Sequence, residues 1–121
     1  MAADLEILTR TYDLILWTLN HTAKFPRSHR YSLGTRMEDR LYSLLDDLVE
    51  AKYTRQKSEM LRRAALRLEQ IRYQFRMAKA LRIIPLSSHH HAIKLLDDIG
   101  RQLGGWRKKV GPGDETPGKP V

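Results

Sequence analysis

"MLRRAALRLEQIRYQFRMAKALR", residues 60–82, decides the fold. Leu61, Ala64, Leu68, Ile71, Phe75 and Ala78 recur at alternating steps of three and four, the spacing of a helix face that packs in a bundle. The same stretch carries seven cations, six of them arginine, against one acid, Glu69. A helix that only had to fold would mix its charges. Worked outward, the periodicity predicts a helix from Arg55 to Ile83, stopped by Pro85, which has no N–H to continue the ladder.

Three further segments share the helical period. The first spans roughly 3–21, with Leu5, Leu8, Tyr12, Ile15, Leu16 and Leu19 as its apolar face. The second begins near Ser32 or Thr35 and runs to about Tyr53 on Met37, Leu41, Leu44, Leu45, Leu48 and Val49. The last follows Pro85, with Ser87 or Ser88 as the expected cap, and uses Ile93, Leu96, Ile99, Leu103 and Trp106. Gly104–Gly105 is expected to fray its end. Pro and Gly fall between the segments, and nothing alternates with the period of a strand. Four amphipathic helices in 121 residues predict an all-α, antiparallel four-helix bundle over residues 1–110, with a disordered Pro- and Gly-rich tail over 111–121.

Composition narrows the function. The net charge is +8, which draws polyanions, acidic proteins or anionic membranes. There is no cysteine, so disulfide and thiolate chemistry are out. The N-terminal segment begins acidic, unlike a secretory signal, and no apolar run approaches the ~20 residues that span a bilayer. A soluble, cytoplasmic protein with no membrane partner is expected. Neither a phosphate-binding glycine loop nor a nucleophile elbow appears. His89, His90 and His91 are adjacent, so they point about 100° apart and cannot share one metal. The pairs Asp46–Asp47 and Asp97–Asp98 read as solvent-facing, and the Glu-x-x-His of di-iron bundles is missing. No enzyme, metal or cofactor is expected. Trp17 and Trp106 read as packing residues, or as one at a subunit contact.

The charge is unevenly spread. Residues 55–82 hold nine cations against two acids, and residues 23–36 hold four against none. Arg62, Arg72, Arg76 and Lys79 form a stripe with Glu69 beside the apolar seam; Arg63 and Arg67 lie on its other flank. A run of charge is most simply a solvated face, since arginine stems cover apolar surface, and some of these arginines can pair with Asp46, Asp47 or Glu50. The basic connection "KFPRSHRYSLGTR" tips the balance toward RNA or DNA. Arginine forks match phosphate oxygens, and Tyr73 can offer a ring to an unpaired base.

"KFPRSHRYSLGTRMEDRLYSLLDDLVEA" and "LRLEQIRYQFRMAKALRIIPLSSHHHAIKLLDDIGRQLGGWRK" resemble the accessory variability determinant (Avd) proteins of diversity-generating retroelements. These fall within a wider group of four-helix-bundle proteins that includes those encoded by intervening sequences in bacterial 23S ribosomal RNA genes. The resemblance covers residues 5–109 and is most specific at "FPRSHRYSLGTRMEDRL". It implies a non-catalytic subunit that binds a reverse transcriptase and its template RNA, supports mutagenic cDNA synthesis, and assembles as a ring-shaped homopentamer with a basic surface. Carried onto this sequence, the basic positions are Lys24, Arg27, Arg30, Arg62, Arg63, Arg67, Arg72, Arg76, Lys79 and Arg82. The rival expectation is a basic bundle that scaffolds an acidic protein partner or ribosomal RNA.

Overall fold

The computed structural model describes residues 2–112, with side chains from Glu6 onward. Leu5 of the expected first seam and residues 113–121 of the expected tail lie outside that description. The described chain is helical throughout, without strands: α1 (Ala2–Thr22), a single turn α2 (Arg27–His29), a π-helical turn (Arg30–Gly34), α3 (Thr35–Tyr53), α4 (Lys57–Ala80) and α5 (Leu86–Val110). The four long helices form the expected four-helix bundle. α3 packs on α1 and α4, and α5 packs on α4 and α1. Cross-helix pairs give the directions: Thr22 meets Glu38, Arg67 meets Asp47, Arg72 meets Asp97, and Arg10 meets Asp98. Thr22 and Glu38, Asp47 and Arg67, and Arg72 and Asp97 each lie at comparable distances on either side of the connection between their helices, so consecutive long helices fold back antiparallel, and α1 and α5, three reversals apart, are antiparallel too.

The seam of α4 is buried as its periodicity predicts, from Leu61 through Phe75 to Ala78. Leu44, Leu48, Leu96 and Ile99 meet it from α3 and α5. The face of α1 is displaced from the expected one. Ile7, Thr11, Leu14, Ile15, Thr18 and Thr22 point inward, while Tyr12 and Leu16 stay exposed and Leu8 and Leu19 are only half-buried. Threonine reads as polar, yet Thr11, Thr18 and Thr22 are all buried here. On α3, Val49 is likewise exposed, and Ala51 takes a core position.

Three boundaries also differ. α4 ends at Ala80, short of Ile83, because Arg82 turns into the left-handed region at φ 59°. Arg82 N–H bonds to Lys79 O at 3.0 Å and Ile83 N–H to Ala78 O at 3.1 Å, the paired bonds of a Schellman stop. Pro85 therefore does not end α4; it opens α5. Its extended ψ of 147° presents its carbonyl to the His89 N–H, so Ser87 and Ser88 lie inside the first turn and cap nothing. Gly104 and Gly105 do not fray α5, which runs on to Val110.

The first connection is ordered. Pro26 starts α2, and the π turn closes with the Thr35 N–H on Arg30 O. Gly34 is buried, and a Cβ there would stand 3.4 Å from the Phe25 ring, so this turn is closed against the core. At the opposite end of the bundle, Lys57 Nζ reaches back to the carbonyls of Ala51 and Lys52 at 2.8 and 3.1 Å, satisfying the end of α3.

Candidate nucleic-acid interface

Antiparallel topology places the connections after α1 and after α4 at one end of the bundle. Each sits in a stretch without a single acid, residues 14–37 and residues 70–96. Folding brings these stretches together as a basic pole holding Lys24, Arg27, Arg30 and Arg36 from one side and Arg76, Lys79 and Arg82 from the other. All five histidines of the chain belong to the same two stretches. An open cleft of about 580 Å³ at this pole is lined by Lys79, Arg82, Ile83, Ile84, Pro85 and Leu86. The field there acts on His89: desolvation first, then Lys79 and His90, lower its pKa from the ordinary histidine value.

The expected basic residues divide into two groups. Arg62 grips Glu59 through two bonds of 3.1 and 2.8 Å, which holds the Glu59 carboxyl below its usual range. Arg67 bonds to Asp47 at 3.3 Å, and Asp47 is buried, contrary to its expected solvent-facing place. Arg72 lies across α5 against Asp97 at 2.8 Å, with Glu69 at 3.5 Å and the Leu96 carbonyl at 3.4 Å. Gly100 makes room for it, since a Cβ there would sit 3.3 Å from the Arg72 guanidinium. These three arginines are at least partly occupied with holding the bundle. Lys24, Arg27, Arg30, Arg63, Arg76, Lys79 and Arg82 form no ion pair among the described residues. All are exposed, and all but Arg63 lie at or next to the pole.

Tyr73 is 57% exposed, and the Arg76 guanidinium carbon sits 5.2 Å from its ring centre. Tyr31 and Arg36 share the pole but are absent from the expected set. The acid-free run from 14 to 37 is the signal that includes both. Trp17 is a packing residue: His21 stacks on it at 3.9 Å, with His91 at 5.2 Å and Phe75 at 6.4 Å. The Asp97–Asp98 pair is also engaged, since Asp98 bonds to both Arg10 and Arg101. Among the described residues no three of His, Cys, Asp and Glu gather as a metal site, and no helix is long and apolar enough to cross a membrane.

The bAvd-like family matches residues 5–110. The chain belongs to the bAvd-like family. Membership bears out the resemblance to the accessory variability determinant proteins. It covers all four long helices and both basic connections of this bAvd-like bundle. The family is one of accessory proteins, not a known enzyme family. No curated protein matches the chain.

Proposed function

We propose that this protein is the accessory subunit of a diversity-generating retroelement. Its basic pole holds template RNA, and the subunit associates with the element's reverse transcriptase to support mutagenic cDNA synthesis. The observation that carries this reading is the convergence of two acid-free stretches at one end of the bundle, with cations left unpaired there. Guanidinium and ammonium groups that lack internal acids can neutralise phosphates and release their counterions. Such contacts grip the backbone and read little sequence, so recognition of one particular RNA falls to the assembled complex. The reverse-transcriptase partner follows from family membership.

Self-association fits the same reading. Leu8, Tyr12, Leu16 and Leu19 on α1 run antiparallel to Tyr53, Val49, Leu45 and Tyr42 on α3, leaving an apolar strip beside the α1–α3 contact. A ring, pentameric by resemblance, would cover this strip with a second copy and repeat the basic pole around its circumference.

The test is RNA binding by fluorescence anisotropy across a salt series. Affinity should fall steeply with salt. Replacing Arg76, Lys79 and Arg82 together with alanine should flatten the log–log slope by about 2, since each phosphate neutralised on a single strand adds roughly 0.7 to it. Replacing Arg62 should leave the slope nearly unchanged. Salt-insensitive binding, or an unaltered slope in the triple variant, would remove the pole from the reading.

A further inference from the structure

Tyr31 is 74% exposed, and the Arg30 guanidinium carbon lies 5.8 Å from its ring centre. Surface tyrosines are common, but this one does not sit on a loose loop. It belongs to the π turn, whose backbone is pinned by the Thr35 N–H on Arg30 O and by the closure of Gly34 against Phe25. A fixed backbone presents the ring in one place and limits the entropy lost when it is used. Exposed apolar ring, guanidinium and acid-free surroundings suit a π-system joined to a phosphate.

Resting on the proposed RNA-binding reading, we infer that Tyr31, with Arg30, is a stacking point for an unpaired base, so that the pole takes single-stranded rather than fully paired polynucleotide. A base inside a duplex has both faces covered by its neighbours and cannot reach a protein ring. An unpaired base can stack on the tyrosine while its phosphate meets Arg30 or Arg27. Tyr73 under Arg76 repeats the pairing on α4 and supplies a second stacking point.

The experiment compares the full-length protein with its Tyr31→Leu and Tyr31→Phe variants. Each is titrated against an unstructured RNA oligonucleotide, a duplex of equal length and inorganic polyphosphate. The Leu variant should lose about 5- to 150-fold in affinity for the unstructured strand, the range found when a stacking ring is removed. The Phe variant should bind that strand as the wild type does, and both variants should bind polyphosphate unchanged. Three results would overturn the inference while leaving the proposed function standing: equal affinity of the wild type for strand and duplex, full strand binding by the Leu variant, or a Phe variant as weak as Leu. A Leu variant that loses polyphosphate to the same degree would also overturn it, by making the ring a structural support. If the wild type binds no polyanion at all, the proposed function fails together with the inference.

Discussion

Arg72 and Arg76 stand one turn apart on the same helix, and in sequence only Glu69, three residues before Arg72, distinguishes them. Asp97 across the groove assigns Arg72 to the bundle, and the lack of any acid above it leaves Arg76 open. Arg82 is more telling. It holds a left-handed backbone at φ 59°, where glycine is the usual residue and an L side chain costs roughly 1–2 kcal/mol. Strain kept at an exposed cation beside other cations is what a binding role would select. Arg82→Gly should therefore stabilise the fold by about 0.5–1 kcal/mol, after the added freedom of glycine in the unfolded chain is subtracted. RNA affinity should drop in the same variant. Chemical denaturation and anisotropy read the two effects separately, and a variant that gains stability without losing affinity would reduce Arg82 to a turn residue.

The helices themselves show how far periodicity carries. The α4 seam was legible because its inward residues are apolar without a break. The face of α1 was not, because it alternates leucine and isoleucine with Thr11, Thr18 and Thr22 and leaves a second apolar stripe outside. Two stripes compete on one helix, and only the neighbours choose between them. Residue preference also predicted a frayed end that α5 does not have. Gly104 and Gly105 lie within a continuous helix, and a Cβ at either would meet nothing within 4 Å. Glycine costs about 1 kcal/mol relative to alanine inside a helix. The double variant Gly104→Ala/Gly105→Ala should gain roughly 1–2 kcal/mol, visible as a raised thermal midpoint. No gain would mean that this stretch needs to bend or to be approached closely by a partner.

At the scale of the whole molecule, different surfaces divide the work. The pole concentrates positive charge, and the α1–α3 strip concentrates exposed apolar side chains. A contiguous exposed apolar strip marks an interaction surface. Placing glutamate at Leu16 and Val49 should leave the core intact, because both side chains already face outward, and should shift the protein to smaller assemblies. Sedimentation velocity would register the change. An unaltered sedimentation coefficient would place the subunit contact on another face.

The sequence by itself determined the four helices, the α4 seam and the excess of positive charge, because each depends on residues three or four apart on one element. It also marked Lys24, Arg27, Arg30, Arg76, Lys79 and Arg82 as basic and placed Glu59 one turn from Arg62, but it did not separate them from Arg67 and Arg72. That separation depends on acids far away in the chain, Asp47 and Asp97 above all. The common end shared by the two acid-free stretches, the burial of Asp47 and the outward turn of Tyr12 and Leu16 were decided only by tertiary structure. Local spacing cannot say which helix lies alongside which, and charge neutralisation and burial are both settled by that neighbour.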